Sequence, residues 1–283
     1  MTEITVACCQ VRIDVEHPHE SWERVLEACR RAAREGADLV VAPELANSGY
    51  VFESLSEAEE RAATVPGPAS EQLVELSAVH DVVIVCGISE EFEGQLYSSA
   101  IVADRGRLLG VYRKSHLWDS EHNFFVPADD PPLVVETSVG PVGVAVCYDV
   151  EFPETVRLAV EQGAQVLAVP VNWPLLPRPR GVWPIEAAKV MAHANEYQIP
   201  IAVADRCGEE RGVAWIGGTF IVDSSGYPLV MPHLTEPSIP RIVSAPVRLS
   251  DEKQLSRFNH ALDDRRVDIY SNHQPAESAR NKE

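Results

Sequence analysis

Apolar residues along this chain fall into short unbroken runs separated by helical stripes. Residues 4–10 (ITVACCQ) predict a buried strand, and residues 21–35 place Trp22, Val25, Leu26, Cys29, Ala32 and Ala33 at helical spacing. Gly36 stops that helix. Residues 38–42 predict the next strand, which runs into Pro43-Glu44-Leu45. A β-α-β opening of this kind belongs to layered α/β folds.

The alternation continues with a helix over 70–79, a strand over 82–88 and a hairpin of 97–104 with 108–112 that turns at Arg105-Gly106. A loop rich in Asp and Pro follows at 127–132. Next come a strand over 142–147, a helix over 154–162, a strand over 165–169 and a helix over 184–197. That helix begins with Pro184 and carries Ala187, Val190, Met191 and Ala194 on one face. Strands over 200–204, 213–222 and 241–247 complete the series. Several of these strands lack polar alternation, which predicts burial of both faces. Two central mixed sheets between two helix layers, a four-layer α-β-β-α sandwich, satisfy that demand. With no low-complexity linker or break in composition, residues 1–270 read as one domain and 271–283 as a polar tail.

Composition narrows the possible partners. The 283 residues hold 24 Lys plus Arg against 43 Asp plus Glu, a net charge of -19, which excludes the phosphate backbone of nucleic acid as a partner. No apolar run approaches the ~20 residues of a membrane span. A small-molecule substrate fits better. Acidic clusters at Glu57, Glu59 and Glu60, Glu90 and Glu91, Asp129 and Asp130, Glu209 and Glu210, and Asp263 and Asp264 read as solvated surface. Lysines are scarce, namely Lys114, Lys189, Lys253 and Lys282, so each one merits inspection. The six cysteines form no CxxC pair and read as reduced thiols. The opening MTEITVACCQ reads as a strand and shows no targeting signal, so the expected location is the cytoplasm.

Three reactive side chains sit at the ends of apolar strands, where α/β proteins build their sites: Glu44 in LVVAPELANSGY, Lys114 in GVYRKSHLW and Cys147 in VGVAVCYDVEFPE. A helix starting near Pro153 is expected to bring N–H groups close to Cys147 and favour its thiolate. Cys8, Cys9, Cys29 and Cys86 read as inert core residues.

These three segments, taken in order together with DRRVDIY near the C-terminus, resemble the nitrilase superfamily of carbon-nitrogen hydrolases. The resemblance implies Cys147 as nucleophile, Glu44 as general base and Lys114 as a cationic helper, through a thioester acyl-enzyme. It also implies a second glutamate, and Glu121 in the stretch EHNFFVP has the matching spacing, although Ala128 stands where the family usually has Gly. The backbone N–H of Tyr148 and Lys114 would hold the oxyanion. Trp118 and Trp173 would line the pocket, Asn172 would offer it a polar contact, and Tyr50 is a further candidate contact. His116 and His122 read as supporting or surface residues. Glu151 departs from the Arg that many relatives carry. No HExxH or Cys/His cluster is present, so no cofactor and no metal is expected. Tyr148-Asp149 after the cysteine, where nitrilases have Trp-Glu, favours an amidase, and the walls of Trp118 and Trp173 would restrict it to small, aliphatic acyl groups. A nitrilase, an N-carbamoyl hydrolase and a non-catalytic interaction protein of this fold are the alternatives. Relatives assemble, so a homodimer or higher homo-oligomer is expected, with the stretch from Leu255 onward as a candidate arm.

Overall fold

The computed structural model describes residues 2–179, 182–232 and 238–270. Strand β1 (Thr2–Arg12), helix α1 (Pro18–Arg34) and strand β2 (Leu39–Ala42) open the chain. Helices α2 (Leu55–Arg61) and α3 (Pro68–His80) lead into the meander β3 (Val83–Phe92), β4 (Gln95–Asp104) and β5 (Arg107–Arg113). A hairpin of β6 (Leu133–Thr137) and β7 (Gly140–Val144) is followed by α4 (Pro153–Glu161), β8 (Val166–Val171), α5 (Ile185–Tyr197) and β9 (Ile201–Cys207). The short strands β10 (Glu209–Glu210), β11 (Val213–Ala214), β12 (Phe220–Val222) and β13 (Pro228–Val230) precede β14 (Arg241–Leu249) and α6 (Val267–Tyr270).

The strands order as β5-β4-β3-β2-β1 in one half and β9-β8-β7-β6 in the other, with β14 antiparallel to β1 and β12–β13 attached to β9. Instead of two separate sheets, the halves join where β1 runs parallel to β9, pairing Val11 with Arg206 and Arg12 with Cys207. Twelve strands therefore form one ladder.

Strand periodicity explains the missing polar alternation. On β1, Ile4, Val6 and Cys8 face the core between the halves, whereas Ala7, Cys9 and Val11 face α1 and α3. Val41 and Val85 repeat the first choice, Val40 and Ile84 the second. Helices α4 and α5 bury Val156, Ala159, Ala187, Val190 and Ala194 with β7, β8 and β9. Each large aliphatic side chain buried this way contributes about 1.5–3 kcal/mol. Among the described residues no helix is long and apolar enough to cross a membrane.

Several expectations change. The run 213–222 breaks between β11 and β12, because Asp205 captures the N–H of Gly218 at 2.7 Å and Gly217 turns with φ +61°. Pro184 caps α5 from outside instead of opening it. Glu90 and Glu210 are buried rather than solvated. Arg113 grips Glu90 with two hydrogen bonds of 2.8 and 2.7 Å. Glu210 accepts from Arg206 and from the N–H groups of Val15, Tyr50 and Val51. The expected polar tail, 271–283, lies outside the described residues.

Candidate active site

Strands β2, β5 and β7 share one direction. Every pairing from β7 through β8, β9 and β1 to β2 and β3 is parallel, and two antiparallel steps carry β3 to β5. Their carboxyl ends therefore meet at one rim. Glu44 follows β2, Lys114 follows β5 and Cys147 follows β7.

Lys114 is fully buried and donates to Glu44 Oε1 and to both oxygens of Glu121, each at 2.8 Å. Glu121 also accepts from Tyr50 Oη at 2.6 Å and from the N–H of Trp118 at 2.9 Å. Tyr50 thus orients Glu121 instead of lining a pocket. Ser98 on β4 donates to Glu44 Oε1 at 3.0 Å. Its neighbourhood is legible only in three dimensions, since nothing near Ser98 in sequence marks it. One ammonium between two buried carboxylates leaves a net negative group in a low-dielectric place. Burial accordingly raises Glu44 to about 7, with Glu121 adding to the rise and Lys114 and the Cys147 thiol opposing it. Burial alone would lower Lys114, yet Glu121, Glu44 and Cys147 raise it well above its ordinary value, so it stays an ammonium.

Cys147 begins a five-residue 3-10 turn, Cys147–Glu151, with φ +49°. A side chain in the left-handed region costs about 1–3 kcal/mol and persists where the surroundings enforce it. Asp149 supplies that enforcement. Fully buried, it accepts from the N–H of Val146 at 3.2 Å, Tyr112 Oη at 2.9 Å and the N–H of His116 at 2.9 Å, and it meets His116 Nδ1 at 2.7 Å. One carboxylate thereby ties the cysteine turn to the loop that carries Lys114. His116 stacks on Phe152 with ring centroids 4.0 Å apart, and His122 is exposed.

The expected thiolate is not the resting form. Burial and the negative charge of Glu44 raise the Cys147 thiol well above its ordinary value, and Lys114 offsets only part of this. The thiol keeps its proton until a base removes it.

Cys147 opens on a cavity of about 200 Å³ lined by Trp118, Tyr148, Glu151, Asn172 and Trp173, with Leu176, Ile185, Glu186 and Lys189 around it. The four expected pocket residues are all present. Trp118 and Tyr148 meet edge to face at 4.9 Å. The Asn172 carbonyl faces Cys147 Sγ at 3.9 Å, while its buried side-chain amide has no protein partner. Glu44 Oε2 and Trp173 Nε1 are likewise unpartnered. Buried polar groups are normally satisfied, so three orphans beside one thiol mark a place that receives a polar molecule. Glu151 and Lys189, which pattern reasoning did not place here, form an ion pair at 2.5 Å. Among the described residues no cluster of His, Cys, Asp and Glu is arranged to hold a metal ion.

A mixed α/β ladder with a buried Glu-Lys-Glu cluster beside a strained cysteine is the arrangement of a hydrolase that acts on carbon-nitrogen bonds. The chain belongs to the carbon-nitrogen hydrolase family, whose model matches residues 5–256. It is 33% identical over 268 residues to a nitrilase of Pyrococcus abyssi, covering 94% of this chain and 99% of that one. It is 32% identical to an (R)-stereoselective amidase of a Pseudomonas species, over 72% of this chain and 71% of the other. A solved mutant of an amidase from Nesterenkonia AN1, a member of the nitrilase superfamily, superimposes with a TM-score of 0.76 at 27% identity, covering 95% and 96% of the two chains. Structures of that amidase include one with acrylamide added at the active-site cysteine and one in complex with butyramide.

Proposed function

We propose that this enzyme hydrolyses short aliphatic amides to carboxylic acid and ammonia through a thioester on Cys147. The observation that carries this reading is the position of Cys147 at the floor of a small cavity, flanked by a Glu44 raised to about 7 and a lysine held as a cation. The Nesterenkonia amidase with butyramide supports the choice of a short acyl chain.

In this mechanism the amide carbon approaches Sγ, and Glu44 takes the thiol proton as the carbon-sulfur bond forms. A base near 7 is well matched to that transfer at neutral pH. The developing oxyanion is stabilised by the positive charge of Lys114, whose N–H groups are held by Glu44 and Glu121, and by the backbone N–H of Tyr148 as donor. Glu44 then passes its proton to the nitrogen, the carbon-nitrogen bond breaks and ammonia leaves. Water attacks the thioester next, giving its proton to Glu44. The carbon-sulfur bond breaks, the sulfur recovers that proton and the carboxylic acid departs. Asn172 holds the substrate amide, and Glu121 positions Lys114. Trp118 and Trp173 close the cavity around the acyl chain.

The reading is tested by ammonia release from acetamide, propionamide and butyramide with the native enzyme and Cys147→Ala. Loss of release in the variant, with a thioester adduct seen by mass spectrometry under turnover, is the expected result. Equal release by both proteins would sink the mechanism, and faster turnover of the matching nitriles would favour the nitrilase reading suggested by the Pyrococcus abyssi relative. A cytoplasmic location is supported by six buried free thiols, which suit a reducing compartment.

A further inference from the structure

The cavity that opens on Cys147 has apolar walls from Trp118, Trp173, Leu176 and Ile185 and one charged group, Glu151, Glu186 and Lys189. Exposure rises from Cys147 at 4% to the Lys189 side chain at 40%, so this charged group lies on the solvent side of the thiol. Two carboxylates against one ammonium leave it net negative. The ammonium is also already engaged, since Lys189 Nζ donates to Glu151 Oε2 at 2.5 Å. The Glu151 side chain is only 11% exposed, and Lys189 is the cation the described residues give it.

Resting on the amidase reading above, we infer that Glu151 and Lys189 sort substrates by the charge at the far end of the acyl chain, favouring amides that carry a distal ammonium over those that carry a carboxylate. A distal carboxylate would have to draw Lys189 away, leaving Glu151 largely buried and unpaired, the costly way to break such a pair. A distal ammonium meets Glu151 and Glu186 without that loss, and the overall charge of -19 favours its approach. Discrimination here comes as much from repelling the wrong end group as from holding the right one. Burial raises Glu151, Lys189 opposes the rise by its hydrogen bond and charge, and Glu186 adds to it.

The test uses three amides of equal length that differ only in the end group: 4-aminobutanamide, pentanamide and glutaramate. The native enzyme is expected to show kcat/KM for the cation at least about tenfold above that for the anion, with pentanamide between them. Glu151→Gln should shrink the cation-to-anion ratio by about tenfold, and Glu151→Arg should invert the order. A native preference for glutaramate overturns the inference, as does a ratio that stays put in Glu151→Gln while all three amides fall together. If the native enzyme turns over none of the three, the amidase reading fails and takes this inference with it. Turnover of pentanamide with no dependence on end-group charge overturns the inference alone.

Discussion

Lys114 and Glu44 meet at 2.8 Å in a place where neither side chain reaches solvent. This contact fixes the base while leaving its second oxygen, Oε2, without a protein partner. Replacing Glu44 with Gln keeps the shape and removes the proton acceptor. Ammonia release should fall by about 10²- to 10⁴-fold, mainly in kcat. A change confined to KM would show that Glu44 only binds.

The pH profile follows from the same carboxylate. Glu44 accepts a proton only when ionised, and burial raises it to about 7. The rate constant kcat/KM should therefore decline below pH 7, by about tenfold per pH unit once Glu44 is mostly protonated. The thiol adds no limb near neutrality, because it lies well above its ordinary value and gives its proton directly to Glu44. A profile that is flat from pH 8 to 5.5 would contradict this assignment.

Removing the cation should cost stability as well as rate. Lys114→Met leaves Glu44 and Glu121 buried without their shared partner, a loss of about 3–5 kcal/mol. Urea denaturation measures it. Adding Glu44→Gln to Lys114→Met should restore part of the loss, because one uncompensated charge is then gone.

Gly87 on β3 shows how closely the scaffold presses on the base. A Cβ there would lie 2.4 Å from Glu44 Cα and 2.7 Å from the Pro43 carbonyl, both backbone atoms that cannot swing aside. Gly87→Ala should cost about 1–3 kcal/mol. It should also lower kcat, measured as ammonia release, by displacing Glu44, with no polar group of the site removed.

The self-association expected from the resemblance would involve the apolar residues left uncovered around the start of α5. Leu176, Val182 and Ile185 are 49%, 53% and 64% exposed. Light scattering should show a dimer or larger species that Ile185→Asp shifts toward the monomer.

Much of this site could be read from the chain because its reactive groups follow strands whose ends the hydrophobic pattern marks. Glu44, Lys114 and Cys147 stand after β2, β5 and β7, and the resemblance of the segments around them to the nitrilase superfamily supplied their expected roles. The supporting groups were hidden because their partners are remote in sequence. Ser98 reaches Glu44 from another strand, Tyr50 reaches Glu121 across 71 positions, and Glu210 serves backbone N–H groups 159 to 195 positions away. Charge alone therefore misassigned Glu90 and Glu210 to the surface. Helix α2 escaped for a different reason, since only Ala58 of its seven residues is buried and no apolar stripe forms. Its start was nevertheless written in Ser54 and Glu57, where the serine side chain accepts from the Glu57 N–H at 3.2 Å. The break at 215–219 was invisible because an apolar run cannot disclose that the carboxylate of Asp205 will claim its backbone.

The protonated resting state of Cys147 bears on how the enzyme survives chemically. Oxidants and general alkylating agents attack the thiolate, and this sulfur is held as a thiol inside a cavity of about 200 Å³. Burial likewise raises Cys8, Cys86 and Cys207. Such a nucleophile is inconspicuous to peroxide or iodoacetate in the medium. On the proposed mechanism it reacts fastest with a molecule that enters the cavity lined by Trp118 and Trp173, so selective labels for this enzyme are expected to be shaped like its acyl group.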